Sequence, residues 1–130
     1  MSRGCRRPSH DHVLVEGAGG LLVELDSHGG TLADLGSLLA AAIVLVTRLA
    51  LGTLNHTALT LEALQARDLQ VIGVVLGSWP RNPDFVHHSN RQVLGTLRVP
   101  FLGALPEQAS ELSPADFHAG ATAWLNGLHA

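Results

Sequence analysis

The polar and apolar positions of this 130-residue chain change period several times, and each change marks an element. A wholly apolar run, Ala41 to Val46 (AAIVLV), is too short to span a membrane and rich in β-branched residues. It predicts a parallel strand buried on both faces. Thr57, Leu59, Leu61, Glu62, Leu64 and Gln65 then follow a helical period, so a helix runs to about Arg67 with Leu61 and Leu64 toward the sheet. Between strand and helix lies Leu51-Gly52-Thr53-Leu54-Asn55-His56-Thr57, where Gly52 permits a tight turn and Thr53 or Asn55 can cap the helix. Backbone N–H groups at a helix start carry about half a positive charge and suit a carboxylate or phosphate, so this joint is a candidate anion site.

The same signals organise the rest. Met1 to His10 carries no period, which predicts a disordered tail ending near Asp11, with residues 12–130 forming one domain. Val13-Leu14-Val15 reads as a short strand ending in Glu16, and Gly17-Ala18-Gly19-Gly20 as a loop where backbone can approach a ligand closely. Leu21 to Leu25 reads as extended, and Asp26 to Gly30 as a turn. Thr31 with Asp34 resembles a capping box opening a helix over Leu32 to Ala40. Val71 to Leu76 is the next strand, broken by Gly77-Ser78-Trp79-Pro80. Pro83 and Asp84 start a helix to about Leu97 with His87, Asn90 and Arg91 on its polar face. A last strand covers Phe101 to Leu105, and Ser113-Pro114-Ala115-Asp116 opens a final helix with Phe117, Ala121, Trp124 and Leu128 on one stripe. Strand and helix alternate four times, which predicts an α/β fold, a parallel sheet with right-handed crossovers and flanking helices. Glu16 then stands at the carboxyl edge of a strand, where open α/β sheets bind ligands.

Composition narrows the function. At 46% apolar, the chain has material for one core. A formal charge of −3 and a pI near 6.2 give no electrostatic footprint for nucleic acid or an anionic membrane. With no Tyr and few Phe and Trp, little is left for stacking bases. The absence of a long apolar run or a signal-peptide core predicts a cytoplasmic protein. The basic start, Arg3, Arg6 and Arg7, reads as a solvated tail, and the single cysteine, Cys5, as a bystander thiol. His87 and His88 are adjacent, so they face apart on a helix and do not form an i, i+4 metal pair. His10 and His12 fall in or beside the tail.

Three motifs in order, VEGAGGLLVEL, LGTLNHT followed by TLEAL, and VIGVVLGSWP, resemble the C-terminal half of the dethiobiotin synthetases of biotin biosynthesis. The resemblance runs from about Asp11 to Leu128. It implies an incomplete fold of the phosphate-loop nucleotide-hydrolase type. It also implies an ATP- and Mg²⁺-dependent cyclo-ligase acting on 7,8-diaminopelargonate and CO₂, in which a carbamate is phosphorylated and the second amine closes a ureido ring. Phosphoryl transfer of this kind is mostly positioning and charge neutralisation.

By that resemblance Glu16 is a magnesium ligand beside the nucleotide phosphates, and Gly17, Ala18 and Gly19 lie along them. Leu51, Gly52, Thr53, Leu54 and Asn55 form the loop that reaches across a homodimer interface and takes the substrate carboxylate through backbone N–H groups and the Asn side chain. Gly77, Ser78, Pro106, Glu107 and Gln108 fall where the family contacts the nucleotide base. Here the chain departs from the family: many members carry an Asn at the position of Gly77, so another nucleoside triphosphate is a candidate beside ATP.

The larger departure is that no G-x-x-x-x-G-K-[ST] loop occurs and all eight basic residues are arginine. The resemblance therefore implies a chain that carries no catalytic residue of its own and is inactive alone. Two readings stay open: the C-terminal portion of an enzyme whose N-terminal half is supplied separately, and a non-catalytic remnant or dimerising carboxylate-binding fragment. A third, a relative among the cobyrinate-amidating or partition ATPases, is disfavoured by LGTLNHT. The unpatterned start MSRGCRRPSH suggests truncation or a displaced start codon.

Overall fold

Three parallel strands carry the architecture: β1 (Ile43–Thr47), β2 (Val71–Trp79) and β3 (Phe101–Pro106), hydrogen-bonded in the order β1-β2-β3. Helices α1 (Leu32–Leu39), α2 (Thr53–Gln65), α3 (Phe85–Leu94) and α4 (Pro114–Trp124) flank the sheet. These features come from a computed structural model that describes residues 11–127. The expected disordered tail and Leu128 lie outside the described residues.

Paired residues of parallel strands share a face and successive residues alternate. Leu45 and Thr47 therefore point with Val74 and Leu76 to one side, and Val44 and Val46 with Val75 to the other. On the first side Leu64 of α2 closes a cluster with Ala33 and Leu69, while Leu76 packs with Leu49 and with Leu94 of α3. Among the described residues the second side is packed chiefly toward β3, where the Trp124 carbonyl of α4 lies against Gly103.

Local chemistry sets most boundaries as expected. Thr31 and Asp34 form a reciprocal capping box on α1, with Asp34 Oδ2 accepting from Thr31 N at 2.8 Å. Ser113 caps α4 through the Asp116 N–H. Asp84 caps α3, whose last residue, Leu94, falls three short of the expected end because Gly95 and Thr96 close the turn on Arg91 and Val93 carbonyls.

Four expectations fail. Val13-Leu14-Val15 is not a strand, because among the described residues no neighbouring strand offers it hydrogen bonds; its side chains stand exposed. Leu21 to Leu25 contributes only an isolated antiparallel bridge, Glu24 to Thr31. β1 is not buried on both faces: it is an edge strand, with Val44 40% and Val46 62% exposed. Gly77-Ser78 does not break β2, which continues to Trp79 because Trp79 pairs with Pro106 and its carbonyl accepts from Glu107 N at 2.8 Å.

Candidate functional site at the carboxyl edge of the sheet

Because the strands are parallel, every loop that follows a strand opens on one edge, and there lie the Leu51–Asn55 joint, Gly77-Ser78 and the Pro106–Gln108 segment, whereas Glu16 to Gly19 follow no strand. β1 delivers Thr47 and Arg48, the chain turns at Leu51-Gly52, and α2 begins. Gly52 is the N-cap with φ +90°, a left-handed conformation that glycine adopts without a Cβ penalty.

The expected caps take other roles. Thr53 is the first helical residue, buried, and its Oγ1 donates to the Arg48 carbonyl at 2.5 Å, pinning the strand end to the helix start. Asn55 lies inside the first turn with its side chain exposed, and Leu54 packs into the cluster around Leu76. No side chain caps α2. Its early N–H groups, those of Leu54 and Asn55, therefore have no intrahelical acceptor. They keep their partial positive charge available to an anion, with no capping oxygen in competition.

Beside this helix start is an open cavity of about 510 Å³, lined among others by Gly20, Leu45, Thr47, Arg48, Thr53 and His56. Thr47 Oγ1 is buried there without a hydrogen-bond partner. Sequence reasoning missed Thr47, Arg48 and His56. Their signal was the first polar pair after the apolar run and a histidine one turn into the helix. A larger hollow of about 620 Å³ opens at the opposite edge, near the end of α2, Val71 and Arg98. Helix carboxyl ends carry partial negative charge and Glu62 and Asp68 line it, so it is the poorer place for an anion.

The glycine loop reaches the first cavity through Gly20, while Gly17 packs against Leu32 and Ala18 and Gly19 are exposed. Glu16 is exposed. Among the described residues no three His, Cys, Asp or Glu side chains gather to hold a metal. A lone carboxylate suits Mg²⁺ only as one ligand beside phosphate oxygens and water.

Gly77 and Ser78 stand beside Pro106 and Glu107 at the ends of adjacent strands. Glu107 also supports the backbone, since its Oε2 accepts from Arg81 N at 3.1 Å and holds the loop after β2. Gln108, at φ +62°, starts the short 3₁₀ turn Ala109–Glu111. A Cβ at Gly77 would come within 2.9 Å of Val46 Cγ1, so an Asn there requires Val46 to shift. Next to this strand end, the Arg91 guanidinium lies 4.9 Å from the Trp79 ring centre, and His88 meets the same indole edge-on at 5.4 Å.

A family model described as AAA domain matches residues 4–115. The chain belongs to the AAA-domain family. Its sheet and helices are those of a phosphate-loop nucleotidase-type α/β fold. Within the curated relatives, this AAA-domain chain is 52% identical over 117 residues to the ATP-dependent dethiobiotin synthetase of Streptomyces coelicolor, covering 89% of the chain and 49% of that protein. It is 55% identical over 115 residues to the enzyme of the same name from Mycobacterium marinum, and 49% over 117 residues to that of Rhodococcus erythropolis. The resemblance to dethiobiotin synthetases seen in the motifs therefore holds. The chain spans about half the length of the curated relatives it matches.

Proposed function

We propose that this chain carries the substrate-carboxylate and nucleotide-base half of a dethiobiotin synthetase site, with the phosphate-binding half supplied by residues that this sequence does not contain. The observation that carries the reading is the LGTLNHT joint. It ends a parallel strand in a helix start with uncapped N–H groups beside an open cavity, in a chain about half identical to dethiobiotin synthetases.

In this reading the carboxylate of 7,8-diaminopelargonate sits on the Leu54 and Asn55 N–H groups and the Asn55 amide. Leu51 to Thr53 fix the turn that presents them. Leu51 is 98% exposed at the tip of that turn, which fits a loop that meets a second copy in a homodimer. Gly77, Ser78 and the Pro106 to Gln108 segment border the base, and the missing Asn at position 77 leaves ATP or another nucleoside triphosphate as the cofactor. Glu16 provides one carboxylate to Mg²⁺, with Gly17 to Gly19 alongside. When bound, nucleotide and metal supply activation of the carbamate formed with CO₂; the residues of this chain orient the diamine and leave the loop open to it.

The test is calorimetric titration of the purified chain with 7,8-diaminopelargonate, beside the Asn55→Ala variant. We expect saturable binding that the substitution weakens by about 1 to 3 kcal/mol, the range for a hydrogen bond to a charged group. An unchanged Kd in the variant removes Asn55 from the site.

A further inference from the structure

We propose that the cavity between the end of β1 and the first turns of α2 binds the phosphoryl group of a small molecule, with Arg48 as the charged ligand and the Thr47 hydroxyl as the buried donor. The site is separate from the Leu54 and Asn55 N–H groups that the half-site reading gives to a carboxylate, because neither residue lines the cavity. It goes beyond that reading and does not rest on it.

Short polar side chains form the wall where a sheet-facing helix ordinarily carries leucines. Thr53, His56, Thr57 and Thr60 stand at i, i+3, i+4 and i+7 of α2, which puts them on one face of the helix. Thr47 meets that wall from the last position of β1, on the α2 side of the sheet. Two of these hydroxyls are already committed: Thr53 Oγ1 donates to the Arg48 carbonyl, and Thr60 Oγ1 to the His56 carbonyl at 2.8 Å. Thr47 differs. It is only 7% exposed, and its Oγ1 is buried at the cavity with no hydrogen-bond partner. Buried hydroxyls are nearly always paired, and a valine would fill the same volume without the desolvation cost. A ligand oxygen in the cavity supplies the missing partner.

Charge identifies the ligand. Arg48 and His56 are the only ionisable side chains lining the cavity, and no Asp or Glu does so. The Arg48 side chain is exposed and forms no ion pair among the described residues. The first turn of α2 holds no acidic residue, so nothing there offsets the partial positive charge of the helix start. An anion is therefore drawn to this cavity, whereas Glu62 and Asp68 repel it from the hollow at the opposite edge. A planar carboxylate is used up by the guanidinium fork. A phosphoryl group has three terminal oxygens, enough to meet that fork and still accept from a hydroxyl on the strand end. At about 510 Å³, the cavity also has room for the molecule that carries the group.

The test is titration of the purified full chain with inorganic phosphate and, separately, with ATP, both without Mg²⁺ and at constant ionic strength, followed through the amide shifts of residues 45–60 in two-dimensional NMR. Saturation by phosphate alone identifies a free phosphate as a sufficient ligand; saturation by ATP alone identifies the phosphoryl group of a nucleotide. In either case Arg48→Met and Thr47→Val should each weaken binding by about tenfold, as expected for a lost hydrogen bond to a charged group. Thr47→Ser keeps the hydroxyl and should bind within about twofold of the parent chain. Thr47→Val removes an unpaired buried hydroxyl and leaves the fold at least as stable, so weaker binding there reports the lost donor. Arg98→Met, the same loss of charge at the opposite edge, should leave the affinity unchanged. If neither probe shifts these amides, if acetate binds as tightly as phosphate or ATP, or if Arg48→Met or Thr47→Val binds as the parent chain does, the phosphoryl site is overturned. Diamine binding is measured independently of all these readouts. Diamine binding without phosphoryl binding overturns this site and leaves the half-site reading standing, and the reverse result does the opposite.

Discussion

Two buried threonines at the candidate site, six residues apart, make opposite predictions. Thr53 Oγ1 has an acceptor in the Arg48 carbonyl, whereas Thr47 Oγ1 is buried without a partner. Replacing a hydrogen-bonded hydroxyl removes the bond and strands its acceptor; replacing an orphan removes only a desolvation cost. Thr53→Val is expected to lower stability by about 1 kcal/mol, and Thr47→Val to raise it by about as much. Urea unfolding of the two variants checks the pair, and destabilisation by Thr47→Val would mean that its hydroxyl has found a partner. From the sequence Thr53 and Asn55 were equivalent cap candidates. The choice depends on how the strand end approaches the helix, a tertiary fact that brings Thr53 under Arg48 and leaves Asn55 free for a ligand. Gly52, in contrast, was legible, since a chain reversal between an apolar run and a helix needs a residue tolerant of positive φ.

At the scale of elements, helix starts were the most legible features because capping is a contact between residues three apart. Thr31–Asp34 and Ser113–Asp116 could be read from spacing alone. The Asp84–His87 box was only half visible, because its reciprocal contact comes from a histidine, whose Nδ1 accepts from the Asp84 N–H at 3.2 Å. The Thr31 hydroxyl, and then its N–H, hold the Asp34 carboxyl below its ordinary range, and the His87 N–H does the same for Asp84. A carboxylate with a folded-state pKa below its unfolded one stabilises the fold above the unfolded value and loses that contribution as pH falls through the folded one. Asp34→Ala should therefore lower the thermal midpoint above pH 3.8, with the difference from the parent chain shrinking on further acidification. A difference that stays constant across that range would contradict the capping role. Strands were less legible than helix starts because a strand needs a neighbour. Val13-Leu14-Val15 has the composition of a strand and no partner, and β1 has the composition of a central strand at an edge.

Across the whole molecule, the α/β class and most of the strand-helix alternation were legible because periodicity is written locally, while the extent of the sheet could be read only from the family resemblance. The described core is small: Leu64, Leu76, Leu94 and Val74 are its largest fully buried side chains. Leu64→Ala is expected to cost about 2 to 5 kcal/mol, a large share of the stability of an ordinary domain, and to leave little folded chain by circular dichroism. Full retention of the helical signal with an unchanged unfolding midpoint would mean that the α1–α2 cluster does not hold the sheet. Among the described residues, the free edge of β1 borders the cavity at the start of α2, so the sheet's edge and the candidate site meet.

The measurement that tests the half-site reading most directly is ATP- and Mg²⁺-dependent formation of dethiobiotin from 7,8-diaminopelargonate and CO₂. It is made with the chain alone, with the N-terminal segment of the Streptomyces coelicolor enzyme alone, and with their co-expressed complex. A half-site predicts product from the complex only, with Asn55→Ala raising the KM for the diamine. Turnover by the chain alone, or a stable complex that makes no product, would contradict it.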